Sequence, residues 1–213
     1  MQAEQTPAKK QGMNLPNKLT VLRVCLIPLF LAVVLFLPLI EEGDIWWRIV
    51  SAVLFIGIAV TDMLDGKIAR KYGLVTDFGK FLDPLADKRM IFGAMLALCV
   101  RYSMDDHAIF TYIYIWATFI VILRELAVTS MRLVVSSNAN IVIAASWAGK
   151  VKTCAQIVSV CIILLEPVVF FWAPAYVEWK LLSYVGIATM LFFTVQSGIQ
   201  YFRAYWPHLN TNK

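Results

Sequence analysis

Long runs of apolar residues, separated by short polar stretches, constrain the fold of this chain more than any other feature. A helix needs roughly 20 apolar residues to cross the ~30 Å hydrocarbon core of a bilayer. Apolar residues make up 60% of the 213-residue sequence and charged residues only 15%, whereas soluble domains carry about 25% charged residues. The sequence therefore predicts an all-α, polytopic integral membrane protein and excludes an ordinary soluble domain.

Six spans follow from these runs. The second run, 45–61, opens with the aromatic pair Trp46 and Trp47, which is typical of a membrane interface. It is short, so its helix must continue into the polar residues beyond it. The predicted spans cover about 19–40, 45–61, a helix that begins within 79–90 and ends near Val100, 109–130, 147–171 and 181–202.

The segments outside the spans divide the chain further. We expect a disordered tail over 1–12, a six-helix transmembrane domain over 13–206 that begins with a short N-terminal interfacial helix, and a C-terminal tail over 207–213. Tyr201, Tyr205 and Trp206 are predicted to form an aromatic belt at the end of the sixth span. The four cysteines lie in apolar runs, which predicts small core residues without disulfides.

The distribution of Lys and Arg predicts the orientation. With six spans, both termini lie on the same side of the membrane as the connection between spans 2 and 3 and the connection between spans 4 and 5. Only Arg48, Arg101 and Lys180 among the 19 basic residues then fall on the other side. The positive-inside rule makes the basic side cytoplasmic. Orientation thus explains the net charge of +5, and nucleic acid is not a predicted partner.

The polar stretch 61–89 is the predicted functional centre. It holds five aspartates, of which four fit the pattern D-x2-D-G-x2-A-R-x8-G-x3-D-x3-D and Asp77 lies outside it. Gly79, Asp83 and Asp87 recur every four residues, so they share one face of a helix. Pro84 either lies in the first turn of that helix or kinks a helix that begins earlier.

The composition of this stretch indicates metal-assisted phosphate chemistry. Its clustered carboxylates would repel one another unless cations lay between them. Oxygen ligands without His or Cys favour Mg²⁺, Mn²⁺ or Ca²⁺, and the first two suit phosphate chemistry. The sequence has no Walker-type glycine loop, which favours a diphosphate substrate held by metal over a nucleoside triphosphate.

The pattern resembles the signature of the CDP-alcohol phosphotransferases. This resemblance implies a membrane enzyme, usually a homodimer of six-helix subunits, in which an acceptor hydroxyl displaces CMP from a CDP-linked lipid or alcohol. It implies that Asp62, Asp65, Asp83 and Asp87 hold two divalent cations, Mg²⁺ or Mn²⁺, and that Asp87 is also the catalytic base. By the same resemblance, the CDP-binding residues are Gly66, Ala69, Arg70 and Gly79.

The wider sequence resembles the phosphatidylglycerophosphate synthase branch of that family, through NLPNKLTVLRVCLIPLF, GKFLDPLADK, ILRELAVTSMRLV and WAGKVKTCAQ. This implies CDP-diacylglycerol and glycerol 3-phosphate as substrates and the bacterial cytoplasmic (inner) membrane as the location, with the active site on the cytoplasmic side. The predicted acceptor phosphate-binding residues are Arg124, Arg132, Lys150 and Lys152.

Two of these cations carry separate expectations. Arg124 lies inside an apolar run and requires a buried partner or a ligand, and a phosphate matched by its fork of donors is one candidate. For Lys152 two roles remain possible: a ligand of the phosphate, or a side chain that snorkels to the lipid headgroups. No partner is predicted for Glu125. Two alternatives also remain for Asn17, Thr20 and Arg23: they line the edge of the cavity, or they have a capping or interfacial role.

Three alternatives remain at this point. The first is another CDP-alcohol phosphotransferase, such as one that makes phosphatidylinositol phosphate. The second is a membrane prenyltransferase, whose aspartate pattern lacks the G-x2-A-R that follows here. The third is a divalent-cation transporter, which predicts carboxylates near the bilayer midplane and inverted repeats. The aspartates cluster at one face of the membrane, which disfavours transport.

Overall fold

The computed structural model describes residues 15–40, 44–72, 77–105, 107–139 and 147–206. Side chains are described for 22, 25–40, 45–63, 88–105, 107–132, 134–135 and 147–206. Within these ranges the chain is helical and contains no strand. The helices are α1 (Leu15–Ile40), α2 (Asp44–Tyr72), α3 (Asp77–Ser103), α4 (Ala108–Ala139), α5 (Trp147–Val169), α6 (Pro174–Trp179) and α7 (Leu181–Tyr205).

Four helical stretches in the described part of the chain are long and apolar enough to cross a membrane. They are Ile45–Met63, Ala108–Arg132, Trp147–Val169 and Pro174–Tyr205, and Cys25–Ile40 is a shorter apolar helix. These stretches confirm an all-α, multi-pass membrane architecture. They do not confirm six spans. A separate N-terminal interfacial helix is not confirmed either, since α1 is one helix from Leu15 to Ile40.

Helix boundaries around the polar stretch resolve two predictions. Helix α2 continues to Tyr72, so the short second run does extend through Asp62 and Asp65. Helix α3 begins at Asp77, so Pro84 lies within the helix and not in its first turn. Helix α4 continues to Ala139, beyond the predicted end near residue 130.

The major helix contacts form a closed cycle, in which α1 packs on α2, α2 on α5, α5 on α7, α7 on α4, α4 on α3 and α3 on α1. Because lipid supplies no hydrophobic force between helices, close packing of small residues is what joins them. A Cβ added at Gly186 of α7 would lie 3.3 Å from Oγ of Ser159 on α5. A Cβ at Gly198 would lie 3.2 Å from Cγ of Arg124 on α4. Both glycines therefore allow neighbouring helices to approach.

Two predictions about burial were wrong. All four cysteines are free, but Cys25 and Cys154 are exposed and not core residues. Tyr201 and Tyr205 are buried, at 5% and 1% exposure, so of the predicted belt only Trp206 is exposed. The physical reason is shared: residues that face lipid and residues that face the core are both apolar, so an apolar run does not show which side faces inward.

Candidate active site

The patterned aspartates lie on two helices that touch. Asp62 and Asp65 are three residues apart on α2, and Asp83 and Asp87 are four residues apart on α3. Each pair therefore lies on one side of its helix, and α2 contacts α3. Asp62 is half-buried. The side chains of the other predicted metal- and CDP-binding residues lie outside the described side chains: Asp65, Gly66, Ala69, Arg70, Gly79, Asp83 and Asp87.

The donor set on these helices fits Mg²⁺ or Mn²⁺, because the patterned residues offer only carboxylate oxygens. Among the described side chains, no group of three His, Cys, Asp or Glu residues lies close enough to hold a metal ion. The metal site therefore stays a prediction from the spacing of the aspartates on two contacting helices.

Arg124 of α4 is half-buried, with 10% of its side chain exposed, and it packs against α7. Its Nη1 donates to Oε1 of Glu125 at 3.0 Å, and its Nη2 donates to Oγ of Ser197 at 2.9 Å. Its guanidinium carbon lies 5.5 Å from the centroid of the Tyr201 ring. The prediction that Arg124 needs a buried partner is thus confirmed, and Gly198 supplies the space for its stem.

Glu125 also accepts a hydrogen bond at the same Oε1 from the ammonium of Lys152 on α5. Both residues are buried, with 8% exposure for Glu125 and 6% for Lys152. Because a snorkelling side chain carries its charged end to water, this burial is inconsistent with the snorkelling interpretation of Lys152. One carboxylate therefore joins two cations from two helices.

Lys88 links the aspartate helix to this charge cluster. It directly follows Asp87 in the chain and donates from α3 to Oγ1 of Thr129 on α4. Thr129 in turn donates to the backbone carbonyl of Glu125 at 2.7 Å. A cavity of about 40 Å³ lies here, and its lining is Lys88, Ile91, Phe92, Glu125, Lys152, Thr153 and Gln156.

This cavity is too small for a substrate. One water needs about 10–15 Å³ of such volume, so about 40 Å³ accommodates a few waters between polar side chains. A phosphorylated acceptor needs more space than this. The exposed cations Arg132 and Lys150 do not line this cavity. Arg132 lies in the last part of α4 and Lys150 in the first turn of α5, on the side of the membrane that the sequence predicts to be cytoplasmic.

Tyr201 was not predicted as part of the site. Its ring is approached by Arg132, whose guanidinium carbon lies 5.8 Å from the centroid, as well as by Arg124. Its hydroxyl packs against Gly149, the residue before Lys150, where an added Cβ would lie 3.0 Å away. The sequence signal was present but weak: Ser197 and Tyr201 recur four residues apart, but other polar residues of α7, such as Gln196 and Gln200, lie beside them.

A second cluster of cations lies at the opposite end of the helices, and we call it the far-end cluster. It contains the three basic residues that the orientation placed on the non-cytoplasmic side, packed among aromatic rings. Arg48 lies 4.4 Å from the Trp47 ring and Lys180 lies 5.0 Å from the Tyr102 ring. The far-end cluster consists of Trp47, Arg48, Arg101, Tyr102, Phe110 and Lys180.

Comparison with known proteins gives one consistent result. The family model for CDP-alcohol phosphatidyltransferases matches residues 13–196. A CDP-diacylglycerol–glycerol-3-phosphate 3-phosphatidyltransferase of Bacillus subtilis (strain 168) is 38% identical over 209 residues, which cover 93% of this chain and 98% of that protein.

Proteins of the same name show similar agreement in other bacteria. The one from Pseudomonas fluorescens is 35% identical over 206 residues, with 94% of each chain covered. The one from Salmonella choleraesuis (strain SC-B67) is 36% identical over 188 residues, which cover 82% of this chain and 94% of that protein. The match therefore extends beyond the aspartate motif to almost the whole chain, and the protein belongs to the CDP-alcohol phosphatidyltransferase family.

Proposed function

We propose that this protein transfers the phosphatidyl group of CDP-diacylglycerol to sn-glycerol 3-phosphate, which yields phosphatidylglycerophosphate and CMP. Three relatives that cover 82% to 94% of the chain carry this activity in their names. The structural observation that carries the proposal is the Lys88–Thr129 contact. It joins α3, which carries two of the proposed metal-binding aspartates, to the cationic cluster on α4, and this contact supports adjacent sites for the two substrates.

The charge of this cluster favours an anionic acceptor. Arg124, Arg132 and Lys150 are proposed as the ligands of the acceptor phosphate. Arg forks match phosphate oxygens in a bidentate geometry, and the single carboxylate of Glu125, which pairs with Arg124 and Lys152, offsets only one of the positive charges in this cluster. Lys152 remains a predicted phosphate ligand, but its bond to Glu125 supports a different role, in which it holds Glu125 beside Arg124.

Asp62, Asp65, Asp83 and Asp87 are the proposed ligands of two divalent cations. When bound, Mg²⁺ or Mn²⁺ would neutralise charge on the diphosphate and on the departing CMP. Gly66, Ala69, Arg70 and Gly79 are the proposed residues of the CDP site.

Asp87 is the proposed base. Its carboxylate accepts the proton of the acceptor hydroxyl as that oxygen attacks the phosphorus that carries diacylglycerol. The new P–O bond forms while the bond to the CMP oxygen breaks, and CMP leaves with the bonding electron pair.

The membrane arrangement belongs to the same proposal. We place the enzyme in the bacterial cytoplasmic membrane as a homodimer with six spans per subunit over 13–206. Both termini, including the tails 1–12 and 207–213, and the active site would lie on the cytoplasmic side, where glycerol 3-phosphate and CMP are soluble. The distribution of Lys and Arg along the sequence supports this orientation.

A choice of acceptors tests the substrate assignment. The full-length protein in detergent is incubated with CDP-diacylglycerol and Mg²⁺ or Mn²⁺, and CMP release is measured with glycerol 3-phosphate, inositol phosphate, serine or glycerol. We expect release with glycerol 3-phosphate and little with the others. Release with inositol phosphate and none with glycerol 3-phosphate would refute the proposed acceptor.

Replacement of the base tests the mechanism. General-base catalysis contributes about 10²- to 10⁴-fold, so Asp87→Asn is expected to lower kcat by at least that range. The matched control is Asp77→Asn, which removes a carboxylate from the same stretch but outside the pattern, and its kcat should stay near that of the unmodified enzyme. A near-normal rate for Asp87→Asn would rule out the assigned role.

A further inference from the structure

We propose that Tyr201 is the positioning residue of the acceptor-phosphate site, and that its ring sets the spacing of Arg124 and Arg132 while its hydroxyl sets the start of α5 beside Lys150. The inference rests on the proposed function, because it gives these three cations one phosphate to hold. Nothing in the aspartate motif or in the relatives' names assigns a role to this residue.

The first observation is that two arginines converge on one ring. Arg124 and Arg132 are eight residues apart on α4, which separates them by about 12 Å along the helix axis. Their guanidinium carbons nevertheless lie 5.5 and 5.8 Å from the centroid of Tyr201. Both distances are within the ~6 Å range of a cation–π contact. A single side chain from α7 therefore contacts both arginines, although they lie more than two helical turns apart on α4.

The second observation concerns the third cation. The Tyr201 hydroxyl packs so closely on Gly149 that an added Cβ would lie 3.0 Å from it, while the nearest ring carbons would lie at 3.6 and 3.7 Å. Gly149 is in the first turn of α5 and precedes Lys150. Tyr201 is only 5% exposed, so its position is determined by packing. Movement of this ring would shift the α5 backbone at Lys150 as well as both arginines.

An aromatic ring is suited to this position because it holds cations without neutralising them. A carboxylate would lower the net positive charge and occupy the in-plane donors of a guanidinium. A ring face attracts a guanidinium through its quadrupole and does not itself occupy the in-plane N–H donors, two of which in Arg124 donate to Glu125 and Ser197. A site for a dianionic phosphate needs both properties.

The experiment measures KM for glycerol 3-phosphate and for CDP-diacylglycerol separately, in full-length variants in detergent. Tyr201→Leu removes the ring, and we expect KM for glycerol 3-phosphate to rise roughly tenfold or more from the loss of two cation–π contacts. KM for CDP-diacylglycerol should change little. Tyr201→Phe keeps the ring face, so its KM for glycerol 3-phosphate should rise clearly less than that of Tyr201→Leu.

A second pair of variants tests the contact with Gly149 without removing the ring. Gly149→Ala places a methyl group 3.0 Å from the Tyr201 hydroxyl, and we expect KM for glycerol 3-phosphate to rise. In Gly149→Ala/Tyr201→Phe the hydroxyl is absent and the remaining contacts are of ordinary length. The double variant should therefore have a lower KM than Gly149→Ala alone. This pair also provides the test if Tyr201→Leu does not fold.

Tyr205→Phe is the matched control, since Tyr205 is buried one turn further on and its ring stacks 6.1 Å from that of Tyr201. Both KM values should stay near those of the unmodified enzyme. Equal rises in both KM values for Tyr201→Leu, or no rescue of Gly149→Ala by Tyr201→Phe, would overturn the inference. Failure of the unmodified protein to release CMP with glycerol 3-phosphate would instead refute the proposed function.

Discussion

Buried cations occur at both ends of this helix bundle, and the two ends hold them in different ways. In the far-end cluster, Arg48 is 2% exposed, stacks on Trp47 and donates to the Tyr102 hydroxyl at 3.0 Å. At the end that holds the proposed site, Arg124 and Lys152 share the carboxylate of Glu125.

The surroundings of the two clusters differ as well. Arg101 at the far end pairs with Asp105 at 2.7 Å, and Lys180 is 5% exposed over the ring of Tyr102. At the end that holds the proposed site, the exposed Arg132 and Lys150 accompany the half-buried Arg124 and the buried Lys152. A buried cation in a span is therefore not by itself evidence of a ligand site. The distinguishing features are exposed cations beside the buried ones and the contact with Lys88, which directly follows Asp87 in the chain.

The largest expected effect tests the shared carboxylate. Glu125→Leu would leave Lys152 buried without its anion, and breaking one side of a buried ion pair costs about 3–5 kcal/mol. The free energy of unfolding in detergent micelles, from a denaturant titration, should fall by that amount. Glu125→Leu/Lys152→Met removes both charges and should recover most of the loss. No recovery in the double variant would show that the pair is not the source of the stability.

A smaller effect separates the two ends by activity. Arg124→Ala removes hydrogen bonds of a charged group worth about 1.5–3 kcal/mol, so KM for glycerol 3-phosphate should rise roughly 10- to 100-fold with little change in KM for CDP-diacylglycerol. Arg48→Met, at the far end, should lower thermal stability without raising KM for either substrate. An equal rise in KM for both variants would remove the distinction between the two ends.

The smallest effect concerns an acid at the far end. Glu166 is 3% exposed and accepts hydrogen bonds from the backbone N–H groups of Leu182 and Ser183, at 2.9 and 2.8 Å, and from the Ser183 hydroxyl. It thus caps the first turn of α7, which follows Lys180 in a left-handed conformation with φ of 47°.

Glu166→Gln should cost about 0.5–2 kcal/mol of stability, as for other helix caps. The kinetic constants should be unchanged, because the residue lies at the end opposite the proposed site. Ser183→Ala is the milder comparison, since it removes only the hydroxyl contact. Loss of activity in a folded Glu166→Gln protein would contradict a purely structural far end.

Much of the fold and part of the candidate site are predictable from the sequence. Backbone groups in lipid must form hydrogen bonds within their own segment, so a long apolar run predicts a helix. The apolar runs of α2 and α4 predicted these two helices in this way. The spacing of Asp62 to Asp65 and of Asp83 to Asp87 needs only helical geometry. Helix α6 was missed because its six residues are too few for a periodic signal.

Tertiary structure alone decided which cations have partners. Arg124 and Ser197 are 73 positions apart, and Glu125 and Lys152 are 27 positions apart. No local pattern connects residues on different helices, and in a membrane both faces of a helix are apolar. The sequence by itself therefore determined a helical membrane protein with an aspartate motif for diphosphate chemistry. Only the packing of α4, α5 and α7 showed Tyr201 among the cations, because that contact exists only once those helices meet.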